Sequence, residues 1–371
     1  MNIHKLLPAA FKWFLISVFL LVVLGACGNN ARSQPEGTPR PTTPAALRKI
    51  SPPPYFPKES ANSEITDNIQ GGIYTHPSGA FSFKYPTGWL EDTSEYGSVF
   101  ISEPDGEGVL YITATDTGRP LNGSQFEIFV QAREDNFFAK FEGYTQSAFE
   151  VDPLTRRALT LKSVLFRDLP ETVKSYYFLE QQVVYAIDMW WESDKSADYE
   201  IIYNEVLESF TSEPGKVPGE LYYNFVITFY DSLNAFSFTA PVCWQYDSRV
   251  EDGIIIDSFS APDEGAYLEH IMFSMPERLT ESEVEQKIFQ AAFGSFLIEP
   301  KWVEVESRNV DENGWVSIQW KDDGSGWKKE SKYCIQGAKV LALNGVIRSG
   351  DENIFQSTID YAFDEYSIPG K

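Results

Sequence analysis

The sequence predicts an α/β (α+β) protein of two tandem α/β/α sandwich domains, each built on a central antiparallel sheet, behind a disordered tether. Three observations predict it. The segment Ala80-Phe81-Ser82-Phe83-Lys84-Tyr85-Pro86-Thr87-Gly88-Trp89 aligns without gaps on Ala235-Phe236-Ser237-Phe238-Thr239-Ala240-Pro241-Val242-Cys243-Trp244, an offset of 155 (235 minus 80), and further landmarks recur in the same order. Segments 176–179 and 183–191 read as a hairpin with apolar residues at both parities, which calls for cover on both faces of the sheet. Residues 28–67 are rich in proline, threonine and small polar residues with no apolar period, so they cannot bury enough surface to offset chain entropy.

At the N-terminus, Lys5 and Lys12 precede an apolar stretch, 13–24, and then Gly25-Ala26-Cys27. Twelve residues rise about 18 Å as a helix, short of the ~30 Å hydrocarbon core, which disfavours a retained transmembrane helix. The run Leu24-Gly25-Ala26-Cys27 resembles the lipobox of bacterial lipoproteins. The resemblance implies that residues 1–26 are a signal peptide and that the Cys27 thiol receives a diacylglycerol. The new N-terminus would be acylated as well, placing the chain on the extracytoplasmic face of the cell membrane; a plain secretory cleavage after Ala26 is the competing reading. Residues 27–67, with Ser51-Pro52-Pro53-Pro54, then form the lipidated cysteine and a spacer.

The two repeats divide the rest into domains at 68–213 and 220–369, with the seam at Pro214-Gly215-Lys216-Val217-Pro218-Gly219. Within each, a capping-box spacing starts a helix, at Ser124 with Glu127 and at Thr280 with Glu283. Phe126 and Val130 nevertheless correspond better to Val284 and Ile288 than those caps would have it. A hairpin and a closing helix, 201–210 and 354–363, complete each unit. The order of elements, with Phe81, Phe83, Pro86, Gly88 and Trp89 in the first unit and Phe236, Phe238, Pro241 and Trp244 in the second, resembles the PsbP and Mog1-like sandwich. Cys243 departs from it by replacing the glycine. The resemblance implies a fold and an adaptor or accessory role without catalysis; it implies no site residues, because the shared positions read as core.

With 54 acidic and 30 basic residues the formal charge is −24, and it becomes −26 once Lys5 and Lys12 leave with residues 1–26, which disfavours nucleic acid as a partner. Asp311-Glu312-Asn313-Gly314 and Asp322-Asp323-Gly324-Ser325-Gly326 are the best oxygen-rich loops for weak Ca²⁺ binding. Neither has EF-hand spacing, and both read first as hairpin turns. With Cys27 lipidated, Cys243 and Cys334 remain, open to a disulfide or to two buried thiols. After residue 26 only His76 and His270 are histidines; no HExxH, G-x-S-x-G or phosphate-loop signature occurs, and no catalytic, cofactor or metal residue is assigned. The reading is a membrane-anchored, non-enzymatic accessory or adaptor of an envelope complex, bound to the bilayer by its acyl chains and to a protein partner. The alternative is a small-molecule or carbohydrate binder using Trp190, Trp191, Trp302, Trp315, Trp320 and Trp327 in an interdomain groove; a remoter one is a hydrolase built on two converging acids or a histidine–serine contact.

Overall fold

The computed structural model describes residues 72–369, apart from 94–97, 167, 218–225, 232–234, 276–278, 294–303 and 323. Residues 1–26, read from the sequence as a signal peptide, Cys27, the expected spacer and Trp302 lie outside the described residues. Strands β1 (Gly72–Thr75), β2 (Phe81–Tyr85), β3 (Leu90–Thr93), β4 (Ser98–Ser102) and β5 (Gly108–Asp116) lead into helix α1 (Gly123–Asn136). Then come β6 (Thr145–Asp152), β7 (Arg157–Phe166), β8 (Leu169–Glu180), β9 (Val183–Glu192), helix α2 (Ser196–Ser209) and β10 (Thr211–Ser212). The second half repeats the plan: β11 (Val226–Tyr230), β12 (Ser237–Pro241), β13 (Gln245–Glu251), β14 (Ile254–Ser260), β15 (Ala266–Ser274), α3 (Glu281–Phe293), β16 (Val305–Val310), β17 (Val316–Trp320), β18 (Trp327–Gln336), β19 (Lys339–Arg348) and α4 (Glu352–Asp364).

Two antiparallel seven-stranded sheets result, ordered β3-β4-β5-β9-β8-β7-β6 and β13-β14-β15-β19-β18-β17-β16. The strand orders are identical, so the duplication read from the sequence extends to topology. In each, the second strand of the long hairpin, β9 or β19, is the central strand and is buried on both faces, as its double parity requires, while the first strand is only partly buried. One face of the first sheet joins Tyr185, Ile187 and Trp191 to Tyr199 and Tyr203 of α2 and to Phe81 and Phe83 of β2. The other face places Val184 and Ala186 under Phe126, Phe129 and Val130 of α1. The second sheet is covered likewise, by α3 on one side and by α4 with β12 on the other. Both repeats are therefore α/β/α sandwiches. No helix among the described residues is long and apolar enough to cross a membrane.

Register makes the duplication residue-specific. Ala158 opposes Tyr177 in the first sheet as Val316 opposes Tyr333 in the second, so the hairpin offset is 156 (333 minus 177) and the β7 to β17 offset is 158 (316 minus 158). The first helix corrects the sequence reading: its cap is Asn122, not Ser124. Asn122 and Gln125 form the reciprocal box, each side chain reaching the other's backbone N–H. Thr280 and Glu283 do cap α3 as expected. The cap offset is thus 158 (280 minus 122), and Phe126 and Val130 fall on Val284 and Ile288, which removes the misfit. Asn outranks a Ser two residues inside the turn because its side-chain oxygen reaches N3 from an extended backbone. At the tips of the two long hairpins Gln181 (φ 54°) stands where Gly337 (φ 62°) stands, 156 residues apart. Gly88 has φ 94° and no Cβ to strain, whereas its counterpart Cys243 is not among the left-handed residues, so the two Pro-to-Trp corners differ in backbone as well as in side chain.

Candidate functional site

The two repeats meet through α1. Its inner face packs on the first sheet, and its outer face joins the apolar cluster that also holds Phe238, Trp244, Phe355 and Ile359 of the second repeat. At its C-terminal end the buried Asn136 side chain donates to the carbonyls of Val242 (2.9 Å) and Trp244 (2.7 Å). Just before it, Arg119 donates to Asp351 (2.6 Å) and pairs with Asp263, while lying over the Phe355 ring. Two carboxylates from one repeat thus hold a guanidinium from the other, a charge-assisted arrangement of the strong kind. Along this seam, between Leu121, Phe129, Cys243, Trp244 and Phe355, a cavity of only about 20 Å³ remains.

Five of the six tryptophans weighed for an aromatic interdomain groove are described, and they are packed elsewhere than in the seam openings. Trp190, Trp191 and Trp320 are buried in three separate core clusters. Trp315 packs on Tyr366 with Lys332 over its ring, and Trp327 packs on Tyr267 with Arg348 over its ring. None of these five lines either seam cavity. A second opening does exist, a groove of about 240 Å³ between the C-terminal half of α1 and the start of β13. Its wall includes Gln131, Asp135, Lys140, Gln245 and Tyr246. Gln131 donates to Asp135 (3.0 Å), and the Tyr246 hydroxyl donates to Asp257 (2.8 Å). Sequence reading missed this groove, since its residues are ordinary polar surface types whose proximity comes only from docking of the two repeats.

Beneath α1 lies a buried ionic network that sequence reading also missed. Arg133 makes a bidentate pair with Asp188 (3.1 and 2.5 Å) and donates to the Tyr177 hydroxyl (2.7 Å). Lys162 donates to both oxygens of Glu134 (2.6 and 2.8 Å) and to Ser175 (2.9 Å); both ionic side chains are 0 % exposed. Burial pushes the Lys162 ammonium down to about 8, with the Glu134 carboxylate opposing. A signal was present: Lys162 occupies the inward parity of β7, in series with Ala158, Thr160 and Val164. The second repeat fills the equivalent places without ions. By the offsets above, Glu134 and Lys162 become Ala292 and Trp320, and Arg133 and Asp188 become Ala291 and Asn344. Trp320 donates to Ser331 (2.8 Å) as Lys162 does to Ser175, and Ser331 donates to Asn344 (2.6 Å). With no opening to solvent, the network has the geometry of a structural clasp, not of an acid–base pair.

Other chemistry-bearing residues are placed as follows. His76 Nδ1 lies 2.8 Å from the Ser78 hydroxyl, but it also accepts the Ser78 N–H (3.3 Å), and Ser78 accepts the Ala80 N–H, so this contact closes a turn. Burial lowers the His76 pKa. His270 is fully buried, Nε2 against the Tyr366 hydroxyl (2.9 Å), and burial drives its pKa well down. Glu103, Asp105 and Glu107 converge in the β4–β5 turn. They have protein partners: Tyr199 donates to Glu103 (2.5 Å), the Glu107 N–H to Asp105 (3.2 Å), and Lys195 pairs with Glu107. In the two loops weighed for Ca²⁺, Asp311 accepts the N–H groups of Asn313 and Trp315, and Asp322 accepts that of Gly324, which is turn geometry. The disulfide open to Cys243 and Cys334 is not formed: both are buried, unbridged thiols in the shared apolar cluster. Each faces aromatic and aliphatic neighbours that bury it, and burial pushes the Cys243 thiol up to about 12.

No family model matches the chain, and no curated protein does. Solved structures similar to it include cyanobacterial PsbP (CyanoP) from Synechocystis, 10 % identical over 39 % of this chain and 92 % of that one, with a TM-score of 0.32. LpqN of Mycobacterium tuberculosis, described as involved in cell envelope biogenesis, is 15 % identical over 40 % of this chain and 93 % of its own, TM-score 0.27. The immunity protein TplEi of Pseudomonas aeruginosa is 13 % identical over 76 % of this chain and 97 % of its own, TM-score 0.19. Identities this low carry no residue role to the present chain.

Proposed function

We propose that this chain is a lipoprotein held by an acylated Cys27 at the extracytoplasmic face of the membrane, serving an envelope complex as a non-catalytic accessory or adaptor. The observation that carries this reading is the way the two sandwiches are joined. One apolar cluster runs through both, and the Arg119 and Asn136 contacts tie them on either side, so the tandem is built as one stiff body with a fixed outer surface. Stiffness of that kind costs a binding surface little ordering entropy on association. The interior ions and both described histidines are engaged in structural contacts, which supports scaffold over catalysis. The N-terminal run Leu24-Gly25-Ala26-Cys27 supports the anchor.

The test is mild crosslinking in the native membrane followed by affinity purification and quantitative mass spectrometry, with the wild type and Cys27→Ser side by side. A stoichiometric envelope protein that accompanies the wild type is the expected result, with the variant released from the membrane fraction. Recovery of the wild type alone, after crosslinking that captures known neighbours of other lipoproteins, would overturn the adaptor reading.

A further inference from the structure

The groove between α1 and β13 has chemistry that the adaptor role leaves unused. Its two walls come from different repeats and are fixed by the bonds from Asn136 to the carbonyls of Val242 and Trp244, so the opening is preorganised. At about 240 Å³ it takes a small molecule and excludes a folded segment. Lys140 on its wall is half-buried and makes no ion pair with any described residue. Lys162, Lys174, Lys195 and Lys321 each have a glutamate partner, whereas the Lys140 charge is not spent on one. A partly desolvated ammonium without a direct ion-pair partner favours an incoming carboxylate. Asp135, steadied by Gln131, supplies the opposite charge on the same wall.

We propose that this groove binds a small zwitterion of the amino-acid class, with its carboxylate on Lys140 and its ammonium on Asp135. A dianion would meet Asp135 and a dication would meet Lys140, so the pair selects against both. Tyr246, whose hydroxyl is committed to Asp257 and whose ring packs on Phe229 and Phe259, is a fixed wall beside the ligand side chain, and the Gln245 amide offers hydrogen bonds.

The experiment is ligand-observed NMR and calorimetry on the full acylated chain in detergent, titrated with each proteinogenic amino acid and, for comparison, with acetate and glucose. At least one amino acid is expected to bind, and Lys140→Met and Asp135→Asn each to weaken it by about tenfold or more at unchanged melting temperature. The proposal is overturned if no amino acid binds at millimolar concentration, if acetate or glucose binds as well as the best amino acid, or if both variants bind it as the wild type does.

Discussion

The substitution pair Glu134→Ala and Lys162→Trp would move the second repeat's solution into the first. In the wild type the two side chains are fully buried and share two hydrogen bonds. Removing Glu134 alone leaves an ammonium among Thr160, Ser175 and the Phe138 ring; removing Lys162 alone leaves a carboxylate with only hydroxyl donors from Tyr177 and Thr160. Breaking a buried pair from one side costs about 3–5 kcal/mol. The double variant carries no uncompensated charge, and the indole has both the space vacated by Glu134 and an acceptor in Ser175, as Trp320 has in Ser331. Replacing a buried pair by apolar groups of similar total volume is close to neutral, so a coupling of at least about 2 kcal/mol is expected between the two sites. Guanidinium unfolding followed by far-UV circular dichroism reads it, provided the slope is unchanged among the four proteins. A double variant as unstable as the sum of the two singles would refute both the clasp and the correspondence between Lys162 and Trp320.

Three further outcomes are expected. Glu269, 4 % exposed, has its carboxyl pushed by burial from 4.5 up to about 7, with only Arg249 (3.4 Å) opposing. The folded chain then holds an extra proton between those values, so stability is full below 4.5 and falls as pH rises through 7, by about 3 kcal/mol at most. Glu269→Gln should flatten that slope in pH-dependent melting, and a slope unchanged in the variant would exclude Glu269 as its source. At the seam, Asn136→Ala leaves two buried carbonyls without a donor, for a loss of about 2–3 kcal/mol, and combined with Arg119→Ala it should split one calorimetric transition into two. A single unshifted transition would show that the apolar cluster alone couples the repeats. Thiol titration of a Cys27→Ser chain should count two groups after denaturation and none that react quickly before it; none in either state would mean that Cys243 and Cys334 are bridged.

Much of the architecture was legible because it rests on local pattern and on repetition. Double parity in residues 183–191 demands a strand covered on both faces, and Phe81, Phe83, Phe236 and Phe238 declared themselves as core through their spacing and duplication; all four are buried. A box geometry was legible at Thr280 but misassigned at Ser124, because Asn122 with Gln125 satisfies the same three-residue spacing and only backbone conformation chooses between them. The tryptophans illustrate the other limit: a large aromatic residue reads alike whether it faces a groove or a core.

By itself the sequence determined the doubled plan, the period of each strand and helix, the acid excess and the N-terminal run that ends in Cys27, since each is written in neighbouring residues or in their regular recurrence. Only the tertiary structure decided that Lys162 meets Glu134, that Arg119 meets Asp263 and Asp351, that Cys243 and Cys334 stay apart, and that Lys140 and Asp135 share a wall with Gln245. These are contacts between segments from tens of residues to more than two hundred apart. Their energies depend on burial and on distances of a few ångströms, which sequence separation does not encode.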